Sequence, residues 1–179
     1  LDLACGRELC RTGSGGNGAT HFEASLMVNR PPEELYRFWH DFQNFPRFVS
    51  HLESVETTGE NGRSHWVAKM PSGMRIEWDA EIVNETLNEL IAWRAIEGGA
   101  IDHAGSVRFE AAPGDRGTVV RVKMQYRAVG GQIGRAFAKL IGQAPEQVIL
   151  KELRRLKQLV ETGEIAGAEG QAPVRARTP

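Results

Sequence analysis

The residue types that could carry chemistry are scattered along this chain of 179 residues. The five histidines show no metal-binding spacing such as HxxxH or HExxH, so no metal site is predicted; they are His21, His40, His51, His65 and His103. His40 and Asp41 are sequence neighbours, and neighbouring side chains diverge on a helix, so a catalytic dyad is not expected. There is no GxSxG, P-loop or dinucleotide fingerprint, and no serine or cysteine has a visible base partner. The sequence therefore predicts neither a cofactor nor covalent catalysis.

Aromatic residues form the densest cluster of side chains that could hold a ligand. Six of them lie between Tyr36 and Phe48, in a segment that Pro31 and Pro32 open and Pro46 interrupts. The prolines predict two short helices in succession, because proline suits a first helical turn and breaks a run further in. We expect these helices to pack against a larger apolar surface.

Phe42, Phe45 and Phe48 admit two interpretations. They could gate the mouth of an apolar cavity, since the segment is short and broken, or they could pin the two short helices to a sheet. We expect pinning for most of them, with at least one ring reaching the cavity.

Trp66, Trp78 and Trp93 lie on three separate strand-like runs, where alternation can point each indole to the apolar face. Each could bury roughly 200 Å² and offer its N–H to a polar ligand group. Plain core packing is the alternative interpretation, and a large ring in a cavity protein often does both.

Stepwise alternation predicts the strands that must position these rings. In Arg75–Asn84, for example, Ile76, Trp78, Ala80 and Ile82 share one face, and charged residues share the other. The predicted strands are His21–Val28, His51–Thr58, Arg63–Met70, Arg75–Asn84, Glu89–Ile96, Ala104–Ala111 and Thr118–Arg127. Short turns between most of them indicate an antiparallel meander.

Helix signals flank the strands. Asn29 is the predicted cap of the first helix, followed by proline and two acidic residues. A final amphipathic helix is predicted after Gly130-Gly131, with a restart at Pro145 and a C-terminal cap at Thr162-Gly163. The predicted fold class is α+β.

Composition bounds the domain organisation and the partners. Residues 1–19 are predicted to be a flexible lead-in, 20–163 one domain and 164–179 a disordered tail. The net charge of −1 argues against nucleic acid as a partner, and no apolar run approaches the roughly 20 residues that span a bilayer. The two cysteines, Cys5 and Cys10, leave the core without a disulfide framework, so a reducing cytoplasm is the simpler expectation.

In order and spacing, these elements resemble the START-like helix-grip superfamily, also called SRPBCC. The likeness is strongest to its bacterial cyclase/dehydrase or polyketide cyclase proteins, which are related to the coenzyme-Q-binding START-like domains. The segments that carry it are RPPEELYRFWHDFQNFPRF (30–48), HLESVE (51–56), SHWVAKMPSG (64–73), EWDAEI (77–82), IAWR (91–94), GSVRFE (105–110), PGDRGTVVRV (113–122), PEQ (145–147) and LRRLKQLVETGE (153–164).

The resemblance implies a curved antiparallel sheet around a long C-terminal helix, two short helices after the first strand, and a cavity between sheet and helix. It implies no single reaction, so no catalytic residue is predicted. Alternation and the resemblance together predict these cavity residues: Phe42, Phe45, Phe48, Trp66, Trp78, Trp93, Phe109, Tyr126, Phe137, Ile141 and Leu153. In some relatives a similar domain follows a membrane segment, so membrane association stays open, and residues 1–19 could be the stump of such a segment.

Three functions follow as hypotheses, and binding of a hydrophobic molecule is favoured: a quinone, a lipid, a sterol or a polyketide-like aromatic in the cavity. A polyketide cyclase or dehydratase is the alternative, and its only acid–base candidates are Tyr126, His40, His51 and His65. The third is an interaction or membrane-adjacent module whose own side chains fill the cavity. Neither the ligand nor the oligomeric state follows from the sequence.

Overall fold

A computed structural model describes residues 9–14, 19–59, 62–127, 131–132, 135–136, 139 and 145–163, with side chains from Thr20 onward. The strands are β1 (Leu9–Ser14), β2 (Ala19–Val28), β3 (Leu52–Thr57), β4 (Arg63–Lys69), β5 (Arg75–Thr86), β6 (Leu90–Ala95), β7 (Asp102–Ala111) and β8 (Thr118–Arg127). The helices are α1 (Pro32–His40), a 3₁₀-helix (Phe42–Arg47) and α2 (Pro145–Thr162).

All eight strands form one antiparallel sheet in the order β1-β2-β8-β7-β6-β5-β4-β3. The predicted alternation is confirmed in β5, where Ile76, Trp78 and Ala80 are buried while Arg75 and Glu77 are exposed. One face of the sheet is therefore the wall of the core and the other meets solvent. The α+β fold class is confirmed.

The first strand lies inside the segment predicted to be a flexible lead-in. Leu9–Ser14 pairs with β2 in antiparallel register, from Leu9 opposite Ser25 to Ser14 opposite Thr20. These six residues are therefore part of the sheet, within the range expected to be a lead-in. The backbone of β2 offers an open row of N–H and C=O groups, which another segment can pair with whatever its side-chain pattern. Periodicity alone does not reveal such pairing.

The short helices follow the prolines as predicted, but the predicted cap does not form. Pro32 occupies the first turn of α1, and Pro31, with no side-chain hydrogen bond, stands at the cap position. The backbone N–H of Asn29 instead donates to Glu161 Oε1 at 2.6 Å. Asn29 lies too far ahead of the helix, because an extended Pro31 separates the two.

The 3₁₀-helix keeps Pro46 inside it. Asp41 caps its start, since Oδ1 accepts a hydrogen bond from the Gln43 backbone N–H at 3.2 Å. At its end, the Phe45 carbonyl accepts from the N–H of Phe48 at 3.0 Å and of Val49 at 2.8 Å. The short element turns the phenylalanines Phe42 and Phe45 into the core.

The long helix α2 ends as predicted. Gly163 takes a φ of +75°, and its N–H donates to the Leu159 carbonyl at 2.8 Å. Leu150, Leu153 and Leu156 form its buried stripe. The predicted residues of the preceding helical segment, Ile133, Phe137, Leu140 and Ile141, lie outside the described residues.

Two hydrogen bonds of α2 reveal the curvature of the sheet. Lys157 Nζ donates to the Met27 carbonyl on β2 at 2.7 Å, and Arg155 Nε donates to the Phe48 carbonyl, just before β3, at 2.9 Å. In a flat sheet, β2 and β3 would lie roughly 30 Å apart, at about 4.8 Å per strand. Residues two apart on one helix cannot reach both unless the sheet curls around it. The sheet therefore grips α2.

Candidate functional site

A cavity of about 150 Å³ lies between the inner face of the sheet and α2. Among the described residues, its lining comes from α1, the 3₁₀-helix with the residues after it, strands β3, β4, β6, β7 and β8, and α2. These residues are Trp39, Phe45, Phe48, Val49, His51, Leu52, Trp66, Trp93, His103, Val122, Met124, Val148, Ile149, Glu152 and Leu153. The wall is thus mainly apolar and aromatic.

Five of the predicted cavity residues line this space: Phe45, Phe48, Trp66, Trp93 and Leu153. They come from the 3₁₀-helix and its end, from two strands and from α2. The Phe45 ring packs edge-on against Trp66, with ring centres 5.2 Å apart. Phe45 and Phe48 therefore both pin the short helix and reach the cavity.

Four predicted residues lie outside the lining. Phe42 packs on Trp66 at 5.4 Å, Trp78 stacks on Trp66 at 5.9 Å, Phe109 meets Trp39 at 6.2 Å, and Tyr126 meets Phe22 at 6.1 Å. Trp78, Phe109 and Tyr126 lie at the apolar alternation positions of their strands, but a shared face does not place a side chain beside one cavity. The two others, Phe137 and Ile141, lie outside the described residues.

Several residues that line the cavity were not among the predicted cavity residues. Trp39, Val122, Met124, Val148 and Ile149 belong to predicted apolar faces, so alternation and helical spacing carried a signal for them. His103 and Glu152 are polar residues at positions of apolar faces. His103 shares the buried face of β7 with Val107 and Phe109, and Glu152 follows Ile149 by three residues on α2.

A missing side chain shapes the sheet wall. Trp93 on β6, Gly105 on β7 and Met124 on β8 lie opposite one another in a single cross-strand row. A Cβ atom on Gly105 would come within 2.5 Å of both Met124 Sδ and Trp93 Cζ2. The indole and the thioether therefore occupy the volume that any other residue at 105 would need.

Several buried polar atoms at the cavity have no hydrogen-bond partner among the described residues. They are Trp39 Nε1, both ring nitrogens of His103, and Glu152 Oε2. The Trp66 indole, in contrast, donates to Ser64 Oγ at 2.7 Å. Glu152 is held at its other oxygen, which accepts from Ser50 Oγ at 2.7 Å, and Arg155 Nε lies 3.5 Å from Oε2.

Burial sets the charge state of the two cavity histidines. Desolvation lowers the pKa of His103 to about 4, against a smaller opposing effect of Asp102. Desolvation also lowers the pKa of His51 to about 4. Both imidazoles are therefore uncharged near neutral pH, and each has one N–H donor and one nitrogen acceptor.

The other predicted acid–base candidates lie elsewhere. His40 pairs with Glu85 at 3.0 Å and is half exposed, and His65 pairs with Asp79 at 2.7 Å on the solvent face of the sheet. Tyr126 packs against Phe22 outside the lining. Of those four candidates only His51 lines the cavity.

A wider hollow of about 710 Å³ lies on the solvent face of the sheet, over the small residues Ala92, Ala104 and Ser106. Arg94 and Lys123 border it. A hydrophobic molecule there would keep much of its surface in water, so the internal cavity is the better candidate site. Within the part of the chain described, no group of three metal-ligating side chains occurs, and no helix is both long and apolar enough to cross a membrane.

Comparison with known proteins places this fold and cavity in a family. The model of the family described as polyketide cyclase / dehydrase and lipid transport matches residues 28–154. The chain belongs to this family. A Streptomyces lincolnensis relative, an uncharacterized 17.2 kDa protein, is 30% identical over 145 residues, or 78% of this chain and 88% of the relative.

Solved structures share the fold. The DR_A0006 protein of Deinococcus radiodurans is 32% identical with a TM-score of 0.62, over 79% of this chain and 96% of its own. TTHA0849 of Thermus thermophilus is 23% identical with a TM-score of 0.61, over 80% and 98%. StfQ, the di-domain ARO/CYC of the steffimycin biosynthetic pathway, is 15% identical with a TM-score of 0.60, over 80% of this chain and 51% of StfQ. The predicted helix-grip fold and the predicted superfamily are confirmed.

Proposed function

We propose that this polyketide cyclase / dehydrase and lipid transport family member binds an uncharged hydrophobic small molecule in the cavity between the sheet and α2. The observation that supports this most is the composition of the wall, in which Phe45, Phe48, Trp66 and Trp93 surround a space that the described residues leave unfilled. Transfer of apolar ligand surface from water into such a space is favourable by roughly 25 cal/mol per Å².

The size of the cavity limits the ligand. Engineered apolar cavities of comparable size bind benzene, so about 150 Å³ admits one ring. A quinone headgroup or one ring of a polyketide-like aromatic suits it. A whole sterol or lipid would enter only if the 3₁₀-helix or the N-terminal half of α2 moved outward.

A filled-cavity variant tests the proposal. Leu153 lies on α2 in the cavity wall, whereas Leu87 is 73% exposed on the turn between β5 and β6. Leu153→Trp should weaken binding of benzene and of single-ring quinones at least tenfold, because the indole takes the ligand's volume. Leu87→Trp adds the same side chain outside the cavity and should leave the affinity unchanged.

Ligand-observed NMR titrations measure the affinity of each variant. Native mass spectrometry of gently purified wild-type protein shows whether a molecule is retained in it. If Leu153→Trp does not fold, Ile149→Phe makes a smaller change at a half-buried position of the same wall. A wild-type protein that binds no quinone, lipid or aromatic polyketide would refute the proposal.

One observation favours a second candidate, a cyclase or dehydratase acting in the same cavity. His51, His103 and Glu152 could move protons of a β-keto chain. Imidazoles whose pKa is about 4 are weak bases near neutral pH, so binding without chemistry is the better supported function. Turnover of a short poly-β-keto thioester that falls at least 100-fold in His51→Phe would favour the enzyme.

A further inference from the structure

His103 is a buried polar side chain that makes no hydrogen bond within the described part of the chain. It is 7% exposed on the inner face of β7, and neither ring nitrogen has a hydrogen-bond partner among the described residues. Its neighbour Asp102 is exposed and lies 3.6 Å from Arg127, so that carboxylate is engaged elsewhere. Trp78 holds the imidazole edge-to-face at 5.7 Å and 87°, which fixes the ring without satisfying its nitrogens.

Such an arrangement is costly unless something else supplies the missing partners. Buried polar groups in folded proteins are almost always hydrogen-bonded, and an orphaned group loses its hydration without compensation. Among the described residues with such an unpartnered atom, Trp39, His103 and Glu152 line the cavity, whereas Trp78 and Glu146 do not. A polar group on a molecule in the cavity would offer these side chains a hydrogen-bond partner.

We propose that His103 selects the ligand, and that the ligand class is an uncharged ring bearing a hydroxyl or carbonyl group. This inference rests on the proposed function, because it assigns the polar end of a molecule held in the same cavity. The Trp39 indole can only donate, and the Glu152 carboxylate can only accept. The His103 ring can do one of each, so a hydroxyl group can both donate and accept within this set.

Charge excludes the nearest alternatives. A carboxylate ligand would enter a low-dielectric space beside the Glu152 carboxylate, and like charges there repel strongly. A cationic ligand would compete with Arg155, whose Nε already lies 3.5 Å from Glu152 Oε2. A plain hydrocarbon fits the volume but leaves the three polar groups unpaired.

The matched probes are phenol, benzene and benzoate, which differ at one ring position. Wild-type protein should bind phenol at least tenfold more tightly than benzene and should not bind benzoate. His103→Phe keeps an aromatic ring of similar size without nitrogens. It should retain benzene and lose most of the preference for phenol.

His65→Phe provides the control, because it removes an imidazole from the solvent face of the sheet. Its ratio of phenol to benzene affinity should equal that of the wild type. If His103→Phe does not fold, ¹⁵N NMR of histidine-labelled wild-type protein gives an independent readout. The His103 ring nitrogens should shift when phenol is added and stay in place with benzene.

The outcomes separate the two proposals. Equal affinities for phenol and benzene, or the same preference in His103→Phe, would overturn the role of His103 and leave a cavity whose polar groups bind only water. A cavity of about 150 Å³ has room for several water molecules at about 30 Å³ each. Binding of none of the three probes would overturn the role of His103, and the quinone, lipid and polyketide experiments described above would then decide the proposed function.

Discussion

Because Gly105 has no side chain, the Trp93 indole and the Met124 thioether can both occupy the space above it in the cavity wall. Trp93 and Met124 meet above Gly105, and a Cβ atom would stand 2.5 Å from each. Gly105→Ala should therefore lower the free energy of unfolding by about 1–3 kcal/mol, the usual cost of overpacking. Ser106→Ala, one residue on and facing the opposite side, should change it little. Urea unfolding of the two variants measures both free energies. An unchanged free energy of unfolding in Gly105→Ala would mean that Trp93 and Met124 move aside at little cost.

At the same scale, the buried histidines make stability depend on pH. The pKa of His103 and of His51 is about 4 in the folded protein, below the ordinary value of about 6.5 in the unfolded chain. Between these values the unfolded chain binds more protons, so stability is greatest above pH 6.5 and falls as the pH drops toward 4. For His103 the loss between pH 7 and pH 4 is on the order of 3 kcal/mol.

Replacing His103 with Phe should remove that part of the pH dependence. The free energy of unfolding, measured by urea titration at several pH values, should fall less steeply from pH 6.5 to 4 than in the wild type. His65→Phe, on the solvent face, should keep the steep profile of the wild type. An unchanged slope in His103→Phe would show that this imidazole is not desolvated.

At the scale of elements, the bonds from α2 to β2 and to the end of the 3₁₀-helix can be broken one at a time. Arg155→Met removes the bond to the Phe48 carbonyl and should lower the free energy of unfolding by about 1 kcal/mol. Amide hydrogen exchange at Phe48 and Val49 should accelerate, because the end of the 3₁₀-helix loses its tether. Lys157→Met breaks the bond to Met27 instead and should leave those amides unchanged. Equal acceleration in both variants would mean that the helix detaches as a whole.

Among the elements, the buried faces of strands could be predicted from the sequence, whereas some strand pairing could not. Alternation in β5 predicted its buried face because apolar side chains favour the core and charged side chains favour solvent. The pairing of Leu9–Ser14 with β2 depends on backbone groups that carry no side-chain signal. Among the rings expected at the cavity, Phe45 and Trp66 line it, whereas Phe109 packs against Trp39 outside the lining. His103 was not predicted because the sequence does not show whether a histidine on an apolar face is hydrogen-bonded, and in the described part of the structure it is not.

At the scale of the whole molecule, the interior is neither a wide cavity nor a closed core. Trp39, Phe42, Phe45 and Trp66 pack on one another with ring centres 5.2–5.4 Å apart, and this packing leaves about 150 Å³ between them and α2. The family includes lipid transport in its description, yet a space of this size favours a single ring over an acyl chain. Ligand size is therefore the property in which we expect this member to be most restrictive.

The helix α2, which lines the cavity, is also bonded to β2 through Lys157 and to the end of the 3₁₀-helix through Arg155. If the cavity holds a ring as proposed above, breaking either hydrogen bond should loosen the wall that α2 contributes. We therefore expect a bound ring to dissociate faster from Arg155→Met or Lys157→Met than from the wild type.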